Sequence, residues 1–384
     1  RVVGRDISTR FLNHLDDRRA RQGYPQIETS IGDVEEHDEA LGTFDFVYAR
    51  WVFCWLDDPA AAFAATARYL KPGGALVRVT AAAVNNTDLW SREGRYGTAE
   101  DSDAVAGWQG TPLHFPRIQG IDVAGVVVDV GEEVGREWIG RRVIVDSAAE
   151  YRNGVPSRII GSELDGGFAQ FFGAAIDQLH DVTHSPLTDV QLACLPTAYG
   201  TALGMLNRAG CAAGERVLVT GASGGVGMAA VQLAMARGCV VIARTSEPKA
   251  ALLRDLGVDE VSVRGVDDLL DTAEVALVVD VVCGDEFGAL GDRGRDDGRL
   301  VTAGAIAGPG VELDLRRLYL RWRTLIGSTM HTRDDFAELA AFARAGSLAP
   351  LVADVQPLRR IGAAQERFVA KDFVGKLVLD PWNT

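Results

Sequence analysis

Short apolar runs alternate with alanine-rich stretches between residues 217 and 304, and this alternation constrains the fold more than any other feature of the chain. Apolar runs of four to six residues predict buried strands, whereas apolar residues spaced three and four positions apart predict helices. We expect strands at 217–220, 240–243, 275–282 and 300–304, and helices at 225–237 and 249–256. Because helices join successive strands through short connections, this region is predicted to be an α/β domain with a doubly wound parallel sheet.

The first of these strands runs directly into a glycine-rich turn at residues 221–227, which is followed by an amphipathic helix. Glycines allow a tight turn and a close approach of the backbone to a pyrophosphate, and the free N–H groups of the helix start can hold the anion. A literal G-x-G-x-x-G is absent, but the strand–turn–helix order supports the same function. We predict that a dinucleotide binds to Gly221, Ser223, Gly224, Gly225, Val226 and Gly227.

The choice of dinucleotide depends on the residues at the end of the second strand, where an acid would bind the ribose 2′-OH of NAD. Arg244 stands at this position, and Ser246 and Lys249 follow as further donors, while the nearest acid, Glu247, lies beyond the strand end. These residues favour NADPH over NADH. In the alternative interpretation, Arg244 and Lys249 are solvated surface cations.

The same turn also fits the G-x-S-x-G pattern of a hydrolase nucleophile elbow. Asp280 and His331 follow Ser223 in the order of such a triad. Against this alternative, no HGG-type oxyanion loop precedes the turn, and residues 226–227 have no explanation in a hydrolase.

Composition excludes several classes of protein. The 384 residues are 47% hydrophobic, which excludes whole-chain disorder, and the net charge of −14 disfavours nucleic acid and anionic membrane surfaces as partners. No apolar run reaches the roughly 20 residues that span a bilayer, so we expect a cytoplasmic protein. The cysteines are odd in number, far apart and never in a C-x-x-C pair, which predicts buried reduced thiols at Cys54, Cys194, Cys211, Cys239 and Cys283.

Between about residues 75 and 190 the pattern changes to short β-branched runs separated by glycine and acidic turns, typical of a barrel or an irregular sheet. Together with the glycine turn, the segments 77–88, 120–131 and 375–379 resemble the medium-chain dehydrogenase/reductase superfamily over about residues 75–384. The resemblance implies a GroES-like catalytic domain at 79–190, completed by 327–384, and a Rossmann NADP-binding domain at 191–326. It also implies a homodimer formed through an edge strand near Leu325.

Many members of this superfamily bind zinc, and the resemblance places two of their ligand positions on Asn85 and Ile121. Neither side chain is a zinc ligand of the usual kind, and residues 95–180 contain no cysteine for a structural zinc lobe. We therefore expect no metal. The chain resembles the quinone oxidoreductase and enone reductase branch.

Without a metal, hydride transfer must depend on positioning and on hydrogen bonds to the developing oxyanion. The resemblance implies catalytic roles for Asn85, Tyr96 and Trp90, with Tyr96 as a candidate proton donor, although solvent could equally supply the proton. Each of the three also has a purely structural interpretation, as a turn cap or as core aromatics. Further candidate cofactor contacts are Thr201, with Tyr199 beside it, Gly304 and Lys376.

Residues 1–78 resemble the later part of a class I S-adenosylmethionine-dependent methyltransferase, through segments 2–8, 44–51, 57–59 and 70–77. The resemblance implies that Asp6 binds ribose hydroxyls and that Asp33 lies near adenine. The glycine-rich loop expected before Val2 is not in the sequence, so we do not expect S-adenosylmethionine to bind. The first strands of the reductase barrel are also expected to be replaced, which leaves a catalytically impaired fusion as an alternative.

The leading hypothesis is an NADPH-dependent oxidoreductase that transfers a hydride to a quinone or an α,β-unsaturated carbonyl without zinc. Methyl transfer by residues 1–78 and hydrolysis through Ser223 remain the alternatives from other enzyme classes.

Overall fold

The computed structural model describes residues 2–6, 27–31, 73–98, 112–267 and 274–383, together with residues 12, 13, 16, 20 and 21. Its strands in chain order are β1 Val2–Asp6, β2 Ile27–Ile31, β3 Gly74–Ala83, β4 Ala124–Val130, β5 Arg142–Val145, β6 Ala148–Arg152, β7 Val155–Ile159, β8 Phe171–Ala175, β9 Leu179–Asp181, β10 Arg216–Val219, β11 Val240–Thr245, β12 Glu260–Val263, β13 Val275–Asp280, β14 Gly294–Thr302, β15 Thr324–Gly327, β16 Val352–Pro357 and β17 Lys376–Asp380. Its helices of five or more residues are α1 Asn86–Arg92, α2 Asp189–Ala193, α3 Gly200–Arg208, α4 Gly225–Ala236, α5 Glu247–Asp255, α6 Phe287–Asp292, α7 Leu315–Tyr319, α8 Arg333–Ala345 and α9 Ile361–Ala370, and a π-helical turn covers Leu195–Tyr199.

The chain divides into two compact units. The first comprises Arg1–Arg78, Val126–Arg141 and Phe171–Asp177. Within it, β1 and β2 pair in parallel, with Val2 opposite Ile27, and the first half of β3 pairs antiparallel with β8. Asp6 is the last residue of β1, whereas Asp33 and the methyltransferase-like segments 44–51 and 57–59 lie outside the described residues.

The second unit contains a six-stranded parallel sheet with the order β12-β11-β10-β13-β14-β15. All four strands and both helices predicted between residues 217 and 304 are present. Most of their bounds shift by one or two residues, but β14 begins six residues earlier than expected, at Gly294. The sheet also contains β12, which was not among the predicted strands, and β15, which is the edge strand that the resemblance implied near Leu325.

The sheet forms because its central strands are apolar on both faces. All six residues of β13 are buried, and the residues of β10 and β11 are almost entirely so. Fully burying one Val or Leu side chain contributes roughly 1.5–3 kcal/mol, so strands covered on both faces stabilise the sheet strongly. The strand order reverses between β10 and β13, which opens a crevice at the carboxyl ends of these strands.

The same unit holds further β-structure of the irregular kind predicted from the sequence. β16 pairs in parallel with β17, and β17 pairs antiparallel with Ala82 and Ala83 at the end of β3. β5 pairs with β9, and β6 with β7, in both cases antiparallel. The chain thus leaves the six-stranded sheet after β15 and adds its last two strands beside β3. No helix in the described residues is long and apolar enough to cross a membrane.

Candidate functional site

A crevice of about 410 Å³ lies beyond the carboxyl ends of β10, β11 and β13. Tyr199, a candidate cofactor contact, does not line this crevice, because it is buried and its Oη donates to Gln232 Oε1 at 3.0 Å. All the other residues that the sequence predicted for NADPH binding or for catalysis do line it. They are Asn85, Trp90, Tyr96, Thr201, Gly221, Ser223, Gly224, Gly225, Val226, Gly227, Arg244, Ser246, Lys249, Gly304 and Lys376. These predicted residues therefore share one place in the fold, although residues 85 and 376 are 291 positions apart in the sequence.

The glycine turn has the shape of an anion cradle. Gly221 adopts a φ of +56°, in the left-handed region that favours glycine. A Cβ on Gly227 would lie 2.2 Å from the carbonyl oxygen of Gly221, so no larger residue fits there. Gly224 is the N-cap residue of α4 and offers no side-chain cap, and the first N–H groups of a helix have no partner within the helix. These groups are placed to bind a pyrophosphate.

Asp280 holds the two central strand ends together at the crevice. Its Oδ1 accepts a hydrogen bond from Thr220 Oγ1 at 2.5 Å, and its carboxylate also accepts bonds from the backbone N–H groups of Val282 and Cys283. Asp280 is completely buried. Asp280 therefore fixes the carboxyl ends of β10 and β13 beneath the glycine turn. Because its side chain is buried, it does not contact a ligand in the crevice.

These contacts contradict the hydrolase alternative. Ser223 Oγ is bonded to Thr245 Oγ1 at 3.0 Å, and Asp280 is bonded to Thr220. His331 Nε2 lies 2.9 Å from Asp146 Oδ1, and both side chains are buried. The predicted Ser–Asp–His order in the sequence is thus not a triad in space, because each member is held by a different partner.

Arg244 lies at the end of β11, as predicted, but its guanidinium is already paired. Nη2 and Nε donate to the two carboxylate oxygens of Glu286 at 2.7 and 3.1 Å, and Nη1 donates to Ser262 Oγ at 2.8 Å. Arg244 is only 4% exposed, whereas the Glu286 side chain is 37% exposed at the crevice. Fork-to-fork pairing of this kind fixes a guanidinium and cancels its charge.

Two lysine ammonium groups supply positive charge beside this pair. Lys249 Nζ donates to the backbone carbonyl of Lys371 at 2.8 Å, and Lys371 Nζ lies 3.6 Å above the ring centroid of Phe368. Desolvation lowers the pKa of Lys249. Desolvation, followed by repulsion from Lys249 and Lys376, lowers the pKa of Lys371 to about 8. A bound anion would offset the repulsion among these ammonium groups.

Asn85, Asp122 and Lys376 form a buried polar cluster at the other end of the crevice. Asn85 Nδ2 donates to Asp122 Oδ2 at 2.8 Å and to the Ala83 carbonyl at 3.3 Å. Lys376 Nζ donates to Asn85 Oδ1 and, at 3.2 Å, to Asp122 Oδ2. The Asn85 amide is therefore used at both ends, and the ammonium neutralises a carboxylate that is completely buried.

Asp88 is hydrogen-bonded to the backbone of Asn85 in this cluster. Its carboxylate accepts the N–H groups of Asn85 at 2.7 Å and of Ile121 at 3.1 Å, so it closes the first turn of α1 and ties that helix to the next segment. Burial, with a smaller contribution from the neighbouring Asp122, raises the pKa of Asp88 to about 7. Asp88 thus changes its charge near neutral pH.

Aromatic rings and hydroxyl groups form the wall beside Asn85. The ring centroids of Trp90 and Tyr96 lie 5.9 Å apart, and Tyr96 Oη donates to Thr87 Oγ1 at 3.4 Å. Burial raises the pKa of Tyr96 to about 12, so the phenol stays protonated at neutral pH. Thr197, in the π-helical turn, also lines the crevice, and its buried Oγ1 has no partner among the described residues.

The residues at the family's zinc positions do not fit the metal. Asn85 donates both of its amide N–H groups, Ile121 packs in a cluster with Ala148 and Met330, and the Lys376 ammonium lies against Asp122. Zinc sites need several thiolate, imidazole or carboxylate ligands, and a lysine ammonium in their place repels a cation. Across the described part of the chain, no group of three or more His, Cys, Asp or Glu side chains could hold a metal ion.

The sequence did not predict several of the residues that line the crevice. Glu286, Arg264 and Lys371 line the crevice, but they follow different strands or helices and match no local motif. Thr87 and Thr197 also line the crevice. Thr87 lies in the segment that resembled the family, two residues after Asn85, and this position was the available signal.

Three family models match the chain. The alcohol dehydrogenase GroES-like domain matches residues 71–184, the zinc-binding dehydrogenase model matches 225–345, and the methyltransferase domain matches 1–78. Among curated proteins, quinone oxidoreductase from Sus scrofa is 29% identical over 80% of this chain and 89% of its own length. Acryloyl-coenzyme A reductase from Sulfurisphaera tokodaii is also 29% identical, over 81% and 94%.

The similar solved structures are also of dehydrogenases. A putative alcohol dehydrogenase from Sinorhizobium meliloti is 44% identical, covering 81% of this chain and 90% of its own, with a TM-score of 0.75. A thermostable alcohol dehydrogenase from Pyrobaculum aerophilum, in a cobalt- and zinc-bound structure, is 30% identical over 81% and 92%, with a TM-score of 0.69.

The doubly wound sheet, its uncapped glycine turn and the crevice beside a β-rich domain define an NAD(P)-linked oxidoreductase. The chain belongs to the medium-chain dehydrogenase/reductase superfamily and carries a methyltransferase-like segment at residues 1–78. The predictions of this family, of the α/β fold with a GroES-like domain and of the N-terminal resemblance are confirmed.

Proposed function

We propose that the protein is a zinc-independent reductase that uses NADPH to reduce a quinone or an α,β-unsaturated carbonyl. The observation that carries the proposal is the buried cluster of Asn85, Asp122 and Lys376. In this cluster the Lys376 ammonium balances the Asp122 carboxylate, and Asn85 and Lys376 line the cofactor crevice. A reductase with this cluster must activate its acceptor with protein hydrogen bonds.

The preference for NADPH rests on the adenosine end of the crevice. Ser246 and Lys249 lie where a 2′-phosphate is expected, and Lys371 and Arg264 add positive charge. Glu286 opposes this preference, because its carboxylate pairs with Arg244 and adds a negative charge at the same place. We infer that Lys249 and Lys371 contribute more to phosphate binding than Arg244 does.

When bound, NADPH supplies the hydride, and the protein orients the acceptor and stabilises its oxygen. Asn85 has no N–H group left for the acceptor, so we assign it a positioning role together with Lys376. The hydroxyl groups of Thr87, Tyr96 and Thr197 are the candidate donors to the developing oxyanion. Tyr96 can give its proton to the reduced acceptor, either directly or through the Thr87 hydroxyl to which it is hydrogen-bonded, and can then regain a proton from solvent.

The acceptor class is supported by the lining of the crevice and by the relatives. Trp90 and Tyr96 present flat apolar surface next to the hydroxyl groups, which suits a planar conjugated carbonyl. The matched relatives named quinone oxidoreductase, acryloyl-coenzyme A reductase and NADPH-dependent alkenal/one oxidoreductase differ in acceptor, but each name is that of a reductase of a conjugated system.

A panel of quinones, enals and enones tests the proposal. The purified chain, dialysed against a chelator, is expected to oxidise NADPH faster than NADH with at least one acceptor. Tyr96→Phe is expected to lower kcat with little change in the Kd of NADPH, and Ser223→Ala is expected to keep the chemistry. Activity that returns only after zinc is added, or methyl transfer from S-adenosylmethionine in place of reduction, would overturn it.

We also propose a homodimer. β15 is the edge strand of the six-stranded sheet, and large apolar side chains are exposed on it and just before it: Tyr319 at 62%, Trp322 at 84% and Leu325 at 43%. An unpaired edge beside such a surface favours pairing with a second copy of the chain.

A further inference from the structure

Two cysteines that are 28 residues apart in the sequence meet at the end of the six-stranded sheet opposite the crevice. Cys211 lies between α3 and β10, and Cys239 directly precedes β11. Their Sγ atoms are 3.5 Å apart. The sequence predicted buried reduced thiols. The four described cysteines are free thiols, but Cys211 is only partly buried, which corrects the prediction for that residue.

The backbone holds both cysteines in place. The Cys211 N–H donates to the carbonyl of Leu206 at 2.9 Å, and the Cys239 N–H donates to the carbonyl of Ala234 at 3.0 Å. Cys239 Sγ also donates to the carbonyl of Ala212 at 3.3 Å. The two sulfur atoms therefore lie beside each other just beyond the carboxyl ends of α3 and α4, in segments that backbone hydrogen bonds hold in place.

The other described cysteines differ from this pair. Cys194 Sγ donates to the carbonyl of Val190, and Cys283 Sγ donates to the carbonyl of Gly304. Among the described residues, neither Cys194 Sγ nor Cys283 Sγ is hydrogen-bonded to a second sulfur. Cys211 is partly exposed, so an oxidant can reach its thiol. Cys239 is buried, and its thiol lies next to that of Cys211.

We propose that Cys211 and Cys239 form a modification site, at which an oxidant of the peroxide class converts the dithiol to an intrachain disulfide. The Cys211 thiolate attacks one peroxide oxygen, so an S–O bond forms, the O–O bond breaks and hydroxide leaves. The Cys239 thiolate then attacks Cys211 Sγ, which forms the S–S bond, breaks the S–O bond and releases the second oxygen as water. Two thiols lose two electrons and two protons, and hydrogen peroxide becomes two waters.

The disulfide would join the far ends of two helices whose near ends line the cofactor crevice, at Thr201 in α3 and Gly225 in α4. A cross-link between positions 211 and 239 also restricts the unfolded chain, which stabilises the folded state. We therefore expect the oxidised protein to unfold at a higher temperature than the reduced protein. Burial raises the pKa of Cys211 to about 12, so oxidation is expected to be faster at pH 9 than at pH 7.

Peptide mapping tests the proposal on the whole folded chain. Trypsin releases Cys211 in the peptide 209–216 and Cys239 in the peptide 238–244, so the cross-link has a unique mass. After hydrogen peroxide, the unreduced digest is expected to contain this linked pair, and the denatured thiol count is expected to fall from five to three. Cys283→Ser is expected to leave the linked peptide in place, whereas Cys211→Ser and Cys239→Ser each remove it.

A linked peptide with any other pairing, or loss of thiols without a linked peptide, would overturn the proposal. If a serine variant fails to fold, mapping of the unaltered protein and its melting temperature before and after oxidation still decide the outcome. A melting temperature that does not rise on oxidation contradicts the expected stabilisation.

Discussion

Replacing Lys249 by methionine tests which charge selects the phosphorylated cofactor. Methionine keeps a stem of similar length but removes the ammonium, which lies half-buried at the crevice and donates one hydrogen bond to the Lys371 carbonyl at 2.8 Å. An ammonium has three N–H groups, so the two that remain can donate to a 2′-phosphate. Arg244 is bound to Glu286 and Ser262, and for this reason we expect Lys249 to be the more important residue.

The expected loss follows from the strength of a charge-assisted hydrogen bond. Such a bond contributes about 1.5–3 kcal/mol, which corresponds to a roughly 10- to 140-fold weaker Kd for NADPH. NADH has no 2′-phosphate, so its Kd should change by less than about twofold on the same reasoning. Arg254→Met is the matched control, because Arg254 is an exposed cation on the same helix that does not line the crevice.

Titration with each cofactor by isothermal calorimetry measures both constants. An equal loss for NADPH and NADH, or a loss in Arg254→Met as large as in Lys249→Met, would refute the assignment. Such a result would mean that the Lys249 charge affects the binding of both cofactors equally or affects the stability of the fold. The charge would then not select NADPH over NADH.

Three further outcomes are expected. Glu286→Gln should strengthen NADPH binding severalfold and leave NADH binding unchanged in the same titrations, because it removes the negative charge that holds Arg244. Asp88 has a folded pKa of about 7, above the 3.8 that is usual for an aspartate, so its stabilising contribution is present below pH 4 and is lost as the pH rises through 7, on the order of 4 kcal/mol in all. In urea unfolding, Asp88→Asn should therefore show a smaller difference between pH 5 and pH 8 than the unaltered protein, and an unchanged difference would contradict this. Leu325→Lys should convert the dimer to monomers in light scattering, and a mass that stays dimeric would exclude this edge as the interface.

Local patterns predicted the central strands, because each was a continuous apolar run that the parallel sheet buries on both faces. β13 is buried at all six positions, and its predicted start at residue 275 was correct. β12 was missed because Glu260 and Ser262 interrupt its four residues, and the early part of β14 was missed because Arg295, Asp296 and Asp297 are polar and exposed.

The glycine turn could be predicted for a different reason. Its geometry depends on residues that are adjacent in the chain, and a Cβ at Gly227 would clash only six positions back. By contrast, the pairing of Arg244 with Glu286, of Asn85 with Lys376 and of Cys211 with Cys239 depends on the folded sheet. The residue types were visible in the sequence, but their partners were not.

The most direct measurement uses NADPH carrying deuterium at C4 of the nicotinamide, an enone acceptor and protein whose metal content is measured on the same sample. We predict deuterium on the β-carbon of the reduced product, at a rate that does not depend on zinc, from protein with far less than one metal ion per chain. A product without deuterium, or transfer whose rate follows the bound zinc, would contradict a metal-free hydride transfer in this crevice.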